Sequence, residues 1–342
     1  MNSGKQGRGL AWAKLLRLSL FPSALADPLA GAAVAGAAWS VDLPGLLVAV
    51  AASLAVFHGS MAINDWHDLQ EDRLAGRERP LTAGHISPTA ALWTGVVLVS
   101  CGVLLAAWSG RQIMDSPWAA AEFAGVAVLA VSYNLGLRGP LLGPGLLGLC
   151  RAGNFMFGAL LVLGTAGLTK EGLTALGSPL QLALLASLFY FALVFHVSRL
   201  GRYEDGEAVA KGYDLTRIVG RLLRRQAMLL FGMPVALGGL ILAAGSLGDS
   251  GATIGPRTWI AIAFGLLLAR FFAAPQWRAS GKADWSPAQV ESIMGLCLSR
   301  FVPFGILAIL VTSSTWHGVL LACVLFGLAK LGRALMSVIP PS

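Results

Sequence analysis

The segment NDWHDLQEDRLAGRERPLTAGHIS, residues 64–87, gathers acidic and basic side chains in a chain otherwise rich in alanine, leucine, valine and glycine. Long apolar runs precede and follow it. Charged side chains at the edge of apolar membrane helices cost free energy, so a cluster of this kind indicates a functional site. The flanking sequence predicts the fold that carries it.

The overall composition is typical of a protein that crosses a membrane several times. Of 342 residues, 56% are hydrophobic and 12% are charged, and the mean hydropathy is +0.71, which favours a polytopic membrane protein surrounded by membrane lipid. The formal net charge of +8 would favour nucleic acid as the partner of a soluble protein. Here the basic residues lie in short loops, where they indicate membrane topology. No nucleic-acid partner is therefore expected.

Ten apolar segments have lengths close to that needed to cross ~30 Å of hydrocarbon. They are residues 22–40, 44–64, 88–108, 118–137, 142–167, 179–198, 227–246, 257–274, 290–313 and 315–334. Arg300 and Pro303 interrupt the ninth. We predict an all-α fold, a polytopic integral membrane helix bundle of about nine to ten transmembrane helices, forming one domain over residues 1–342. Residues 1–21 are predicted to be a basic amphipathic entry to the first helix rather than a cleaved signal peptide.

Lysine and arginine fall mainly in one set of loops, and this predicts the orientation of the chain. The opposite loops hold only Arg111, Lys170 and Arg257. Because basic loops stay on the cytoplasmic side, both termini are predicted to be cytoplasmic. The same holds for the two polar loops, residues 65–87 and 199–226.

Three aspartates of the polar segment have a spacing that would place them on one face of a helix. Asp65, Asp68 and Asp72 are related as i, i+3 and i+7, and residues three or four apart are neighbours on a helix. Carboxylates this close repel one another unless a cation lies between them, and Mg²⁺ shared with phosphate oxygens suits such ligands. Asn64 can hydrogen-bond to the same group. The alternative interpretation is a solvated helix end with balanced charges.

The pattern N-D-x-x-D-x-x-x-D-R, followed by R-P-L-x-x-G-x-I-S, resembles the first aspartate-rich motif of the UbiA superfamily of intramembrane prenyltransferases. The matching residues are Asn64, Asp65, Asp68, Asp72, Arg73, Arg79, Pro80, Leu81, Gly84, Ile86 and Ser87. Helix number, orientation and the polar loop after the sixth apolar segment extend the similarity over most of the chain, which also resembles a divergent bacterial branch, the EboC-like proteins. The resemblance implies a UbiA-like bundle around a central cavity that opens to lipid in the bacterial inner membrane. The two polar loops would cap that cavity as catalytic loops.

The resemblance also implies a reaction, the Mg²⁺-dependent transfer of a polyprenyl group from a polyprenyl diphosphate to a lipophilic or aromatic acceptor. Asp65, Asp68 and Asp72 would be catalytic and would hold the Mg²⁺ that polarises the diphosphate. The diphosphate-binding residues of the motif would be Asn64, Arg73 and Arg79, since arginine binds phosphate oxygens well. An apolar pocket with aromatic faces would protect the allylic cation from water.

The second polar loop, SRLGRYEDGEAVAKGYDLTRIVGR at residues 198–221, departs from the family pattern, which has a second aspartate-rich motif there. Glu204 and Asp205 are the candidate ligands for further Mg²⁺ in this loop. Arg202 and Lys211 are the candidate phosphate partners. A solvated loop helix is the alternative interpretation of the segment.

Three residues within the apolar segments are further candidates for substrate binding. Arg151 and Asn154 lie one turn apart and are predicted to stand at the cytoplasmic start of the fifth helix, and the resemblance puts a polar pair of this kind near the diphosphate. The alternative is an arginine that reaches the membrane surface and an asparagine bonded to a neighbouring helix. Tyr190 in the sixth segment is a candidate for the pocket wall, although aromatic residues of helices more often serve packing.

Two other functions compete with prenyl transfer. The irregular second loop would also suit a non-catalytic relative that binds or transports a prenyl lipid or anchors a biosynthetic complex. CDP-alcohol phosphotransfer likewise uses intramembrane aspartates and Mg²⁺, but its D-G-x-x-A-R pattern is absent from residues 64–87.

Overall fold

The structure is a computed structural model that describes residues 7–204, 212–247, 255–313 and 315–339. Within these ranges the regular structure is entirely helical. Helices α1 to α14 are Arg8–Leu15, Phe21–Val34, Trp39–His67, Leu69–Leu74, Pro88–Trp108, Pro117–Asn134, Leu142–Leu163, Lys170–Thr174, Pro179–Gly201, Leu215–Leu247, Pro256–Ala279, Pro287–Leu298, Phe301–Thr312 and Trp316–Val338. A 3₁₀ helix, Leu18–Leu20, precedes α2, and a π-helical turn, Ser109–Ile113, extends α5.

Most of the long helices have the length and hydropathy of membrane spans. In the part of the chain that the structure describes, eight such spans qualify by length and composition. They are α3, α5 with its π-helical turn, α7, α9, α10, α11, α12 together with α13, and α14. A shorter apolar helix, Leu18–Val34, and α6, which carries Glu122, match the remaining apolar segments of the sequence. The chain is an integral multi-pass membrane protein, and the predicted fold class is confirmed.

Two helices end at positions different from the ends of the apolar segments, for reasons that lie in the local backbone. The first apolar helix ends at Val34 rather than near residue 40, because Gly36 adopts a positive φ of 88°, a conformation that glycine takes without steric cost. The ninth segment divides where Arg300 stands, since α12 ends before it and α13 begins after it. Pro303 lies in the first turn of α13, where an amide proton would have no intrahelical partner, so it does not break the helix.

Small residues allow α2 and α7 to approach each other closely. A Cβ atom at Gly31 of α2 would meet the carbonyl oxygen of Phe155, and one at Gly158 of α7 would meet that of Pro28. Close backbone approach through glycine is a common way to pack membrane helices. The same two helices carry a buried ion pair, so this contact helps to set its geometry.

The polar segment lies at the end of the bundle where α3, α6 and α9 end and α5 and α7 begin. Contacts between the connecting segments define this polar end: Arg138 pairs with Asp68, and Arg202 donates a hydrogen bond to the carbonyl oxygen of Arg138. Ser87 closes the segment as the N-cap of α5, accepting a hydrogen bond from the amide of Ala90 at 3.2 Å. Serine followed by proline is a common way to begin a helix.

Candidate active site

The three predicted aspartates lie on two successive helices rather than on one. Helix α3 ends at His67, Asp68 is its C-terminal cap, and α4 begins at Leu69. The backbone at Asp68 stays near the helical region, with φ −80° and ψ 0°. The predicted proximity of Asp65, Asp68 and Asp72 therefore survives the break, as their shared partners show.

A single arginine joins the first and the third aspartate. Arg79 Nη1 lies 3.2 Å from Asp65 Oδ1 and 3.0 Å from Asp72 Oδ2, which places the two carboxylates side by side. Arg17, which follows α1, lies 3.3 Å from Asp65, and Arg77 lies 3.2 Å from Asp72. Both aspartates are 1% exposed. These guanidinium groups therefore compensate negative charge that burial would otherwise make costly.

The second aspartate pairs with a different arginine. Arg138 Nη1 donates to Asp68 Oδ2 at 2.8 Å, and its Nη2 donates to Asn64 Oδ1 at 2.9 Å. Asn64 Nδ2 donates to Asp68 Oδ2 at 3.1 Å, and His67 Nδ1 lies 3.1 Å from Asp68 Oδ1. Burial alone raises the pKa of Asp68, but hydrogen bonds and positive charge from Arg138 and His67 outweigh it and hold this pKa below its usual range. Asp68 is therefore ionised at neutral pH.

A cavity of about 760 Å³ lies next to this cluster and combines basic and apolar walls. Among the described residues, its lining includes one carboxylate, that of Glu204, and five arginines. The arginines are Arg17, Arg138, Arg151, Arg202 and Arg333. Apolar side chains such as Leu147, Phe57 and Phe301 form much of the remaining wall. This lining suits an amphiphile with an anionic head and a hydrocarbon body.

A second, smaller cavity of about 90 Å³ adjoins the first. Phe57, Met61, Tyr133, Leu147 and Arg151 border both cavities. The smaller one is almost wholly apolar elsewhere and lies between α3, α6 and α7. Arg151 therefore stands where the two cavities meet.

A buried polar cluster holds Arg151 in this place. Asp27 of α2 is 3% exposed, and its Oδ2 lies 3.2 Å from Arg151 Nη1 and 3.2 Å from Asn154 Nδ2. Tyr190 donates its hydroxyl proton to Asp27 Oδ1 at 2.7 Å and accepts a hydrogen bond from Arg151 Nη2 at 2.9 Å. The cluster joins α2, α7 and α9 and compensates the charge of Arg151 with that of Asp27.

The structure thus sorts the predicted residues into groups. One group at the polar end contains Asn64, Asp65, Asp68, Asp72 and Arg79. A second contains Arg151, Asn154 and Tyr190, around Asp27. Within α7, Arg151 lies about two and a half turns from the first residue, not at the start of the helix as the sequence pattern indicated.

The remaining predicted residues lie elsewhere. Arg73 of α4 is exposed, and its side chain has no hydrogen bond or ion pair to another described residue. Arg202 and Glu204 line the larger cavity. Asp205 and Lys211 lie outside the described residues.

Three residues of these clusters were not assigned from the sequence. Asp27 had a usable signal, since an ionisable residue inside an apolar membrane segment marks a candidate functional site by itself. Arg17 and Arg138 had no such signal, because membrane topology alone explains basic residues at helix ends. Their partners lie 48 and 70 positions away in the chain.

The donor set suits Mg²⁺, although the observed contacts are ion pairs. Carboxylate oxygens of Asp65, Asp68 and Asp72 and the amide oxygen of Asn64 are the hard ligands that Mg²⁺ prefers. Within the described residues, no group of three or more acidic, histidine or cysteine side chains has the arrangement of a metal site. Guanidinium groups take up the carboxylate oxygens instead. Mg²⁺ binding at these aspartates would therefore require some arginine contacts to open.

Replacing Asp27 by alanine is expected to destabilise the protein by about 3–5 kcal/mol, because it leaves the charge of Arg151 buried without a partner. Thermal unfolding of the purified protein in detergent would measure the loss. The double variant Asp27→Leu/Arg151→Met should recover much of it, since both charges are then removed. Asp42→Asn, a half-buried acid at the opposite end of the bundle that forms no ion pair with another described residue, is the matched control. A stability of Asp27→Ala equal to that of the parent would contradict the structural importance of the cluster.

Comparison with known proteins adds an independent result. The model of the UbiA prenyltransferase family matches residues 25–288. Protoheme IX farnesyltransferase 2 of Bacillus subtilis (strain 168) is 31% identical over 105 residues, 30% of this chain and 32% of the relative. Digeranylgeranylglyceryl phosphate synthase of Thermococcus kodakarensis is 42% identical over 67 residues, 19% of this chain and 24% of the relative. These alignments span about a third or less of each curated relative.

Solved structures share the fold. The chain of a structure described as digeranylgeranylglyceryl phosphate synthase in membranes aligns with a TM-score of 0.55 and 17% identity, covering 88% of this chain and 99% of that one. A UbiA homolog from Archaeoglobus fulgidus bound to GPP and Mg²⁺ aligns with a TM-score of 0.52 and 16% identity, covering 87% and 99%. At these identities the likeness concerns the fold alone. The family match over residues 25–288 covers most of the chain, and this protein therefore belongs to the UbiA prenyltransferase family.

Proposed function

We propose that the protein transfers a prenyl group from an isoprenoid diphosphate to a lipophilic acceptor within the membrane, in a Mg²⁺-dependent reaction. The observation that carries this proposal is the cluster of Asp65, Asp68 and Asp72, which adjoins a cavity with basic and apolar walls in a chain of this family. The name of the family and of both curated relatives supports the reaction type.

The aspartates are the proposed Mg²⁺ ligands, with Glu204 and Asp205 of the second loop as further candidates. Mg²⁺, when bound, would neutralise negative charge on the departing diphosphate. The A. fulgidus homolog is described with both GPP and Mg²⁺, which supports this choice of ion. Asn64 would orient the second aspartate, to which it already donates a hydrogen bond.

Arginine side chains are proposed to hold the diphosphate. Arg17, Arg79 and Arg138 pair with the aspartates, and two of them also line the cavity. When an aspartate binds Mg²⁺, the arginine that it releases becomes available to phosphate oxygens, for which guanidinium groups are well shaped. Arg73, Arg202 and Lys211 are proposed to contribute from the two loops.

The apolar walls are proposed to guide the chemical step. The bond between the allylic carbon and the diphosphate oxygen breaks, and its electron pair leaves with the diphosphate. The acceptor then forms a bond to that carbon and gives up a proton. Aromatic rings of Phe57, Tyr133 and Phe301 on the cavity wall can stabilise positive charge on the allylic group, and exclusion of water prevents its hydrolysis.

The Asp27 cluster is proposed to position Arg151 at the junction of the two cavities. Asn154 and Tyr190, which bond to Asp27, would then act on substrate through Arg151 rather than by direct contact. The smaller cavity, with its apolar wall, can receive the hydrocarbon chain of the donor.

We further propose one domain over residues 1–342, in which residues 1–21 form a basic amphipathic segment and residues 65–87 and 199–226 form the catalytic loops. The excess of basic residues at the polar end supports a cytoplasmic location for this end and for both termini. A bacterial inner membrane is the proposed compartment.

The proposed reaction predicts that a chelator stops turnover. Purified protein in lipid nanodiscs would receive labelled geranyl, farnesyl or geranylgeranyl diphosphate together with a membrane extract. We expect release of diphosphate and formation of a prenylated lipid with Mg²⁺, and neither product with EDTA. Equal release with EDTA would contradict Mg²⁺ dependence. A donor that binds tightly by calorimetry yet stays intact through long incubation with several acceptor classes would instead favour a non-catalytic prenyl-lipid binder.

A further inference from the structure

Arg300, between α12 and α13, is a buried cation that has no counter-charge among the described residues. The residue is 8% exposed, and its Nε is sealed from solvent without a hydrogen-bond partner. Among the described residues its guanidinium forms no hydrogen bond or ion pair, and its Cζ lies 5.8 Å from the ring centroid of Phe272 on α11. A buried charge with no partner costs several kcal/mol, so this position is unfavourable in the protein alone.

Arg333 of α14 adds a second positive charge near the first. Arg333 lies on a helix that packs against α13, which begins directly after Arg300. It lines the larger cavity together with Ser299 and Phe301, the two neighbours of Arg300 in the chain. Unlike Arg300, Arg333 is exposed, and its guanidinium forms no hydrogen bond or ion pair within the described part of the protein. Two cations of like charge thus lie beside one cavity wall, and neither forms an ion pair with an acid among the described residues.

This wall differs from the rest of the cavity. The other arginines of the lining have hydrogen-bond acceptors in the described residues: Arg17, Arg138, Arg151 and Arg202. The uncompensated charge is therefore confined to the side formed by α13 and α14, whereas the aspartate motif lies on α3 and α4.

We propose that Arg300 and Arg333 bind the phosphate group of a lipid headgroup. A phosphate monoester carries up to two negative charges and several acceptor oxygens, which match two guanidinium groups better than a single carboxylate does. A lipid is the favoured source because α12 with α13, and α14, are membrane spans, so a bound headgroup would keep its acyl chains in the hydrocarbon. The phosphate would supply the counter-charge that the described residues do not provide at Arg300.

Native mass spectrometry and lipid-binding titration of the full chain in detergent would test the site, with phosphatidic acid as the probe. Arg300→Gln and Arg333→Gln should each weaken binding about ten-fold or more, since each removes charge-assisted hydrogen bonds. Lys330→Gln on α14, the helix of Arg333, and Arg270→Gln on α11, the helix of Phe272, each remove an exposed cation. They are the matched controls and should bind as the parent does. Asp72→Asn should also retain phosphatidic acid, so failure of the proposed transferase activity would not be mistaken for failure of this site.

Several outcomes would overturn the proposal. Unchanged binding by Arg300→Gln and Arg333→Gln would remove the two residues from any site, and an equal loss in the control variants would indicate general charge attraction. Phosphatidylcholine bound as tightly as phosphatidic acid would exclude recognition of the phosphate monoester. Glycerol phosphate or inorganic phosphate that competes as well as the lipid would assign the site to free phosphate instead.

Stability supplies a second readout, which does not require binding. Without lipid, Arg300→Met should raise the melting temperature, because it removes an unpaired buried charge. Phosphatidic acid should stabilise the parent but not this variant. A lower melting temperature of lipid-free Arg300→Met would show that Arg300 serves the packing of α11 and α13, and the ligand role would be withdrawn.

Discussion

Asp72→Asn is expected to lower the rate of diphosphate release by about 10²-fold or more, the usual cost of losing one group that stabilises charge in a transition state. Asp72 is buried and shares Arg79 with Asp65. Asparagine keeps the size of the side chain but removes a negative charge from the proposed Mg²⁺ site. Asp68→Asn should have a comparable effect, since it removes the carboxylate that pairs with Arg138.

The effect on both variants would be measured as turnover of labelled prenyl diphosphate, at a Mg²⁺ concentration that saturates the parent protein. Glu71→Gln is the matched control, because Glu71 is the neighbour of Asp72 on α4 but is exposed. It should turn over at nearly the parental rate. Raised Mg²⁺ should partly restore Asp72→Asn or Asp68→Asn if the aspartates bind the ion. Parental rates in both aspartate variants would show that the motif is not the catalytic site.

Gly158→Ala is expected to cost about 3 kcal/mol or more in stability and to lower the yield of folded protein. A Cβ atom at this position would run into the carbonyl oxygen of Pro28, which belongs to helix backbone and cannot move aside. Helices α2 and α7 would have to separate, and this would disturb Asp27 and Arg151 as well. The prediction is therefore a loss of both stability and activity.

Size-exclusion profiles after heating would measure this effect in detergent extracts. Gly145→Ala on the same helix is the control, since a Cβ atom there meets nothing within 4 Å. It should be neutral or slightly stabilising, by up to about 1 kcal/mol, because alanine favours helix over glycine. If Gly158→Ala lost its folded peak at the same temperature as Gly145→Ala, the close approach of α2 and α7 would not matter for stability.

Part of the site could be predicted because it is local in the chain. The fold class and the family, expected from the apolar segments and from the motif at residues 64–87, are confirmed. The break in the ninth segment at Arg300 was also visible in the sequence. Asp65, Asp68 and Asp72 are neighbours through helical spacing alone, so their proximity needed no knowledge of the rest of the bundle.

The partners of these aspartates could not be predicted in the same way. Arg79 lies in the same segment as Asp65 and Asp72, but Arg17 and Arg138 come from other helices. The sequence assigned Arg151 and Asn154 to the diphosphate and Tyr190 to the pocket wall, but it did not indicate that all three surround Asp27. Hydropathy and spacing carry no information on which helices meet side by side.

The sequence by itself determined that this chain is a membrane helix bundle of the UbiA family with three clustered aspartates, because hydropathy and helical spacing depend on near neighbours. Only the tertiary structure decided which arginine compensates each clustered aspartate, and that the buried Arg300 has no acidic partner among the described residues. The physical reason is the distance along the chain over which each feature is determined. A hydrophobic segment or a helical face is set within a few turns, whereas the Tyr190–Asp27 bond joins residues 163 positions apart and exists only once α2 and α9 are brought together in the bundle.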